Sequence, residues 1–253
     1  MTYIKRVALV TGASNGIGKA CAQALAQAGW HTHFVGRNIE NLKVAISELP
    51  LNCQNHAFIH SVDVSNPEAV QALFDQVVTQ SGRLDVLFNN AGINQKVATP
   101  DEVTTLDWQN IVNTNLNGAF YCLSNAFRVM RHQQPQGGRI INNGSISSQV
   151  PRPSSIGYSA TKSAISGLTR SASLDGRPFR IAVGQIDIGN VESAMTQRMT
   201  SGVLQADGSI KPEPRMDMSG VVQTLMAMVN LPLESNIFHA TVMATNMPFV
   251  GRG

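Results

Sequence analysis

The apolar run Val7-Ala-Leu-Val10 passes directly into Thr11-Gly-Ala-Ser-Asn-Gly-Ile-Gly18 and then into a helical pattern. That order of strand, glycine turn and helix admits few folds. Gly12, Gly16 and Gly18 let the backbone turn sharply and lie close to a ligand, where any Cβ would collide. The following helix points its free N–H groups and positive dipole end at the same place, an anion site suited to a pyrophosphate. The spacing is G-x-x-x-G-x-G rather than the commoner G-x-G-x-x-G. A tight strand-to-helix turn without a ligand would also use these glycines, but the flanking strand and helix favour a bound dinucleotide.

Beyond the turn, short apolar runs alternate with longer helical patterns. Val7–Val10, Thr32–Val35, Phe58–Val62, Val86–Phe88, Arg139–Ile141, Ile181–Ile186 and Ile237–Met243 read as strands. Residues 16–29, 39–49, 67–80, 103–132, 156–174 and 217–230 read as helices. Pro67 suits a first helical position behind Ser65 and Asn66 as caps, and Gly29 and Gly82 stand where helices should stop. Nearly continuous apolar strands alternating with helices predict an α/β protein: a single doubly wound parallel sheet flanked by helices on both faces, the Rossmann fold. Residues 190–218 break the rhythm, with Met195, Met199, Gly202, Gly208, Pro212, Pro214 and Met216 but no clear strand. They read either as a plastic apolar wall over a substrate pocket or as a surface insertion. No repeat or linker interrupts the chain, so residues 1–253 are expected to form one domain.

A domain of this length buries roughly 70–75% of its unfolded surface without a disulfide or metal. Only 14% of the residues are charged, against a usual ~25%. That excludes a disordered chain and suggests burial partly against other copies. The net charge of +3 is spread along the chain with no Lys/Arg block, which gives no nucleic-acid footprint. Cys21, Cys53 and Cys122 are odd in number and lack C-x-x-C spacing, as fits reduced thiols in the cytoplasm. The apolar run after Lys5 and Arg6 is too short for a signal peptide, and no stretch nears the ~20 apolar residues of a membrane helix. A soluble cytoplasmic protein with neither membrane nor nucleic-acid partner is expected.

Nineteen residues beyond Gly18, the second strand ends in Val35-Gly36-Arg37, and no acid appears before Glu40. A carboxylate there would bind the ribose 2′-hydroxyl of NAD, whereas a guanidinium pairs with the 2′-phosphate of NADP. Arg37 therefore favours NADP(H), with NAD(H) still open if Arg37 is only a solvated loop residue. Further on, Tyr158-Ser-Ala-Thr-Lys162 places a phenol and an ammonium one turn apart on one helix face. A phenol titrates near pH ~10, and a neighbouring cation brings it toward a useful range. Ser145 precedes Tyr158 by thirteen residues, at a strand end where open α/β sheets hold ligands.

Taken together these residues resemble the short-chain dehydrogenases/reductases. The resemblance runs from about residue 4 to residue 195, carried by Thr11-Gly-x-x-x-Gly-x-Gly18, Asp63-Val64, Asn89-Asn-Ala-Gly92, Asn115, Gly144-Ser145, and Tyr158 with Lys162. It implies that Gly12, Ser14, Asn15, Gly16, Ile17 and Gly18 hold the cofactor phosphates, that Asp63 and Val64 flank the adenine, and that Asn90 approaches the adenosine ribose. It implies further that Tyr158 is the general acid/base, that Lys162 lowers its pKa and holds the nicotinamide ribose, and that Ser145 hydrogen-bonds the substrate oxygen. Asn115, selected over Asn113 and Asn117 by alignment on Gly118 and Phe120, would hold a water in a relay from Lys162. The hydride chemistry belongs to the cofactor.

The chain departs from that pattern in places. Ile188-Gly189 replaces the usual Pro-Gly, which should loosen the turn while leaving Val191 to contact the carboxamide. The segment Asp175–Phe179 is short, and Thr245–Gly253 lacks the family's Asp-Gly-Gly ending. Gln149, Arg152 and Pro153 fall where relatives line the substrate pocket; Arg152 would either meet an anionic substrate or be an exposed loop residue. His31/His33 and His56/His60 lie on strands without Cys or acidic companions, so no metal is expected. Trp30 and Trp108 read as packing residues.

The expectation is an NADP(H)-preferring oxidoreductase interconverting a ketone or aldehyde and an alcohol. The alternatives are an NAD-linked alcohol or sugar dehydrogenase and a non-catalytic dinucleotide-binding sensor or scaffold. Reduction of a 3-oxoacyl thioester fits the fold, although nothing in the sequence shows an acyl-carrier surface. The resemblance also implies a homodimer or homotetramer, paired through helices at 103–132 and 156–174.

Overall fold

The computed structural model describes residues 5–250. Seven strands form one parallel sheet: β1 (Val7–Thr11), β2 (His31–Gly36), β3 (Ala57–Ser61), β4 (Val86–Asn89), β5 (Gly138–Asn143), β6 (Ile181–Ile188) and β9 (His239–Val242). A separate antiparallel hairpin joins β7 (Val203–Leu204) and β8 (Ile210–Lys211). The sheet order is β3-β2-β1-β4-β5-β6-β9, so the chain reverses its direction of winding between β1 and β4. The carboxyl ends of those two strands therefore open a crevice, the place where such sheets bind ligands.

Helices cover both faces: α1 (Gly16–Gln27), α2 (Ile39–Ser47), α3 (Leu51–Gln54), α4 (Pro67–Ser81), α5 (Thr105–Val112), α6 (Gly118–His132), α7 (Ile156–Asp175) and α8 (Met218–Asn230). Adjacent strand residues point to opposite faces, so the continuous apolar run of β1 feeds two cores. Ala8 and Val10 join Leu25, Phe34, Leu225 and Met228 on one side, whereas Val7 and Leu9 join Phe74, Leu87, Met130 and Ile140 on the other. The boundary residues act as their chemistry dictates. Asn66 accepts the Ala69 N–H ahead of Pro67, and Gly82 takes a left-handed φ of 75° at the end of α4. A cap of this kind stabilises a helix by about 1 kcal/mol.

Three sequence expectations change. The helix expected over 103–132 is interrupted by a π turn at Asn113–Asn117, which separates α5 from α6; such turns cluster at functional positions. Residues 190–218 contain the Ala194–Thr200 helical turn of 3₁₀ type, the β7–β8 hairpin and a bridge between Val191 and Met216. Residue-by-residue periodicity misses two-residue strands, which are held by neighbours rather than by pattern. The missing proline does not loosen the end of β6: Ile188 is buried, pairs with Val242, and is followed by a Gly189 N–H donated to the Val242 carbonyl at 2.8 Å.

Arg139 on β5 explains how β9 is delivered to the sheet edge. Its buried guanidinium donates to Asn236 Oδ1 at 2.8 Å and to the carbonyls of Leu231, Pro232 and Ser235. These carbonyls lie between α8 and β9, and Arg139 ties that connection down. No helix among the described residues is long and apolar enough to cross a membrane.

Candidate active site

The main cleft, of about 780 Å³, lies over the carboxyl ends of β1, β4, β5 and β6. Its first wall is the glycine turn. Gly12 and Gly16 have φ of 68° and 52°, conformations that favour glycine. A Cβ on Gly18 would stand 2.2 Å from the Gly12 carbonyl oxygen and 2.5 Å from Asn90 Nδ2. Thr11 Oγ1 accepts the backbone N–H groups of Asn90 and Ala91, both at 2.9 Å, and Asn90 Nδ2 donates to the Thr11 carbonyl at 2.8 Å. The turn is thereby clamped to the end of β4, leaving a shallow cradle at the start of α1. A dinucleotide pyrophosphate fits this cradle, because the glycines let the turn pack against β4 while open space stays beside Gly16 at the start of α1.

Gly12, Ser14, Asn15, Gly16, Ile17, Gly18, Arg37, Asp63, Val64, Asn90, Ser145, Tyr158, Lys162 and Val191 all line this cleft. Arg37 is exposed, with Nη1 3.9 Å from Asp63 Oδ2. Burial raises the Asp63 carboxyl, but hydrogen bonds from Ser65 and the charge of Arg37 leave it below its ordinary value. Val64 is buried against α6, where a Cβ on Gly118 would come within 2.8 Å of its Cγ2. Asn90 lies in the wall and also bridges β1 to β5, because Asn143 Nδ2 donates to its Oδ1 at 2.8 Å. Val191 is buried, and its carbonyl accepts the Thr196 hydroxyl.

Asn115 stands behind the wall rather than in it. Its Oδ1 accepts the Ile93 N–H at 2.8 Å, its Nδ2 donates to the Ile93 carbonyl at 2.9 Å, and Thr161 Oγ1 lies 3.5 Å away. The amide is thus engaged on both sides. What Asn115 visibly does is fasten the segment after β4 to the π turn.

Ser145, Tyr158 and Lys162 converge at the far end of the glycine cradle. Ser145 follows β5 in extended conformation and caps the short helical turn Ile146–Ser148 by accepting the Ser147 N–H at 3.1 Å. Its hydroxyl lies near enough to the Tyr158 phenol to favour the phenolate. Burial pushes that phenol above its ordinary value; the Ser145 hydroxyl and the Arg152 charge oppose the rise, and the Asp187 carboxylate adds to it. Lys162 Nζ donates to the Asn143 carbonyl at 2.7 Å and lies 5.8 Å from the centroid of the Tyr158 ring. Burial lowers its pKa to about 8, with Asp187 acting the other way. The phenol stands above its ordinary value because desolvation outweighs the groups that favour the phenolate.

Arg152 lines the cleft and is not the exposed loop residue of the second expectation. It is half-buried, paired through Nη2 with Glu213 Oε2, and bonded to Asn190 Oδ1 at 2.9 Å. Glu213 is buried and also accepts from Asn190 at 2.9 Å and Gln205 at 3.1 Å. Burial would raise its carboxyl, but these donors and the Arg152 charge bring it down to about 2. Gln149 turns away from the cleft and donates to Asp187 Oδ2 at 3.1 Å. Pro153 and Met199 line the cleft as expected; the Met195 side chain lies outside the described residues. Met216 packs with Ile146, Ala244 and Met247, so the chain's last described segment folds over the residue next to Ser145.

Sequence reading missed Gln95, Asp187 and Glu213. Gln95 Oε1 accepts the Tyr158 backbone N–H at 3.0 Å at the start of α7. Asp187 had a visible signal, a lone acid in a mostly apolar strand. Trp30 is buried under Arg6, as a packing residue should be, whereas Trp108 is 40% exposed on α5. His33 and His60 face one another at 2.8 Å between Nδ1 and Nε2, and burial lowers His33 to about 3.

Comparison with known proteins agrees with this arrangement. The sequence profile described as short chain dehydrogenase matches residues 6–203. A 3beta-hydroxysteroid dehydrogenase of Mediterraneibacter gnavus is 31% identical over 225 residues, 89% of this chain and 80% of that one. Gluconate 5-dehydrogenase of Gluconobacter oxydans is 32% identical over 235 residues, 91% of this chain and 89% of that one. Among solved structures, NAD+-bound xylitol dehydrogenase superposes with a TM-score of 0.84 at 25% identity, covering 96% of this chain and 99% of that one.

Proposed function

This chain belongs to the short-chain dehydrogenase family, and on that footing we propose that it is an NADP(H)-preferring oxidoreductase interconverting a carbonyl compound and an alcohol. The observation that carries the reading is the convergence of Ser145, Tyr158 and Lys162 at the end of the glycine cradle. A nicotinamide dinucleotide held there supplies or accepts the hydride. The chain's own groups handle the oxygen and its proton. Tyr158, a phenol that is protonated at neutral pH, donates its O–H proton to the carbonyl oxygen during reduction. The Ser145 hydroxyl hydrogen-bonds the same oxygen and stabilises the charge that develops on it. Lys162 places an ammonium beside the phenol and accompanies the phenolate left behind. In oxidation the proton moves the other way. Asn115 acts through Ile93 and Thr161, keeping the cleft wall and α7 in register.

Arg37 supports NADP(H): no acid follows β2, and the exposed guanidinium stands in the cleft wall. The NAD-linked alternative draws on the xylitol dehydrogenase neighbour. At the other end, Val97, Met199, Val203, Leu204 and Ile210 form an apolar wall that favours a hydrophobic carbonyl compound. Exposed Leu106, Trp108 and Phe120 on α5 and α6, with Ile156 and Leu174 on α7, favour pairing of copies into a homodimer or homotetramer. Light scattering at micromolar concentration is expected to give a multiple of 27.2 kDa; a monomer would contradict the pairing.

The central test is Tyr158→Phe. NADPH-dependent reduction across a panel of ketones and aldehydes should fall by about 10³-fold, within the range of general acid catalysis. NADPH affinity, measured by fluorescence, should stay within about twofold, because the lost hydroxyl serves the proton and not the cofactor. Retained turnover would overturn the assignment and favour a binding protein.

A further inference from the structure

Asp187 has no exposed surface and lies directly beneath the turn that carries Ser145. Its Oδ1 accepts the Ser145 backbone N–H at 3.0 Å and Gln185 Nε2 at 2.6 Å. Its Oδ2 meets His239 Nε2 at 2.8 Å and accepts from Gln149 at 3.1 Å and Ser148 at 3.5 Å. A Cβ on Gly144 would stand 2.0 Å from Oδ1, so the carboxylate occupies the space below that glycine. A carboxylate accepts and cannot donate, and here every neighbour is a donor.

We propose that Asp187 is a positioning residue for the reaction: it locks the Gly144–Ser148 turn from below, so that the Ser145 hydroxyl is held against Tyr158. The proposal rests on the reading of Ser145 and Tyr158 given above. A hydroxyl that stabilises charge in a transition state works only within a few tenths of an ångström of its place. The Gly144 N–H already bonds the Ile186 carbonyl at 2.8 Å, and Asp187 adds, from the same strand β6, the bond to the Ser145 N–H itself. Gln185 continues the support inward, since Thr169 Oγ1 bonds its Oε1 at 3.0 Å and Asn142 Nδ2 bonds Thr169 at 2.9 Å. His239 on β9 closes the network at the surface. The charged and titratable groups around Asp187 are Tyr158 and Lys162 on α7 and His239 on β9, with Arg170 of α7 lining the same outer recess as His239.

Asp187→Asn separates this role from simple packing. The amide keeps the shape but must point its NH₂ at one set of donors, so the turn shifts. With cyclohexanol and NADP+, kcat is expected to fall about 30- to 100-fold while NADPH affinity stays within about twofold. Asp187→Asn is also expected to slow Ser145→Ala little further, because the aspartate acts through that serine. Removing the negative charge that raises the phenol should move the Tyr158 phenolate absorbance to lower pH, read in cofactor-free enzyme with Tyr158→Phe subtracted. The small further loss in the Ser145→Ala background, rather than this shift, separates positioning from packing.

Wild-type kcat with an unmoved phenolate titration would overturn the proposal, and so would equal losses in the presence and absence of Ser145. Full turnover by Ser145→Ala, or none by the wild type on cyclohexanol and other secondary alcohols, would instead sink the underlying reading. If Asp187→Asn does not fold, the exposed His239→Leu takes its place. It should lower kcat about 3- to 10-fold, with His239→Gln restoring it to within about twofold by returning a donor to Oδ2. Wild-type kcat in His239→Leu would overturn the proposal.

Discussion

At the cofactor end of the cleft, fit is a property of backbone: Gly18 touches the Gly12 carbonyl so closely that a single carbon would not fit. At the substrate end, fit is a property of charge. Arg152 and Glu213, sixty-one residues apart, meet through a buried pair that Asn190 and Gln205 complete. The first end centres on eight consecutive residues clamped to Asn90 and Ala91, the second on the side chains of Arg152, Asn190, Gln205 and Glu213. Backbone contacts fail all at once when a Cβ is added. A charge cluster instead weakens by degrees as charge or pH changes.

Gly18→Ala tests the first end most severely. The added carbon forces the Gly12–Asn90 clamp apart, and NADPH affinity is expected to drop by about 100-fold or more, as overpacking costs of 1–3 kcal/mol and a disrupted anion site combine. Fluorescence titration measures it, and an unchanged dissociation constant would show that the cradle is not where the phosphates lie.

Arg37→Asp probes charge at the same end. Losing a charge-assisted bond to phosphate and adding repulsion should lower the NADPH-to-NADH affinity ratio by about 10- to 100-fold. An unaltered ratio would assign cofactor choice to other residues.

Glu213→Gln, at the substrate end, should have the mildest effect. The substrate KM is expected to rise about tenfold with NADPH affinity unchanged, because the glutamine retains a bond to Arg152 but loses the charge. The pH sign follows from the depressed carboxyl. Glu213 titrates near about 2 in the fold against an ordinary 4.5, so its stabilisation is complete above about 4.5 and is lost as pH falls toward about 2. Pepsin cleavage within residues 193–216 should accelerate over that window in the wild type and respond less to pH in Glu213→Gln. Equal pH dependence in both would remove the pair from the account of this loop.

The two ends were also unequally legible in the sequence. Val7–Thr11, the glycine turn and α1 were readable because strand period, glycine freedom and helix start are local properties, and the structure repeats them almost residue for residue. The π turn around Asn115 was not, since its hydrogen-bond shift leaves no mark on a run that looks helical throughout. The β7–β8 hairpin escaped because strands of two residues have no period to detect. Arg152 was read as an exposed or substrate-binding cation, and no local pattern could name Glu213 as its partner. Lys162 was placed one turn from Tyr158, but spacing along a helix could not show how strongly desolvation acts on the phenol, because that depends on what covers it.

The sequence by itself determined the parallel sheet and the glycine turn, which follow from short-range periodicity and the steric limits of a backbone without Cβ, while Ser145, Tyr158 and Lys162 were picked out by resemblance to a family pattern. Only the tertiary structure decided where the charges rest: Arg152 on Glu213, Lys162 on the Asn143 carbonyl, and Asp187 beneath Ser145. The physical reason is that electrostatic interaction and desolvation depend on distance through space and on burial. Both are set by segments that the chain brings together only when it folds.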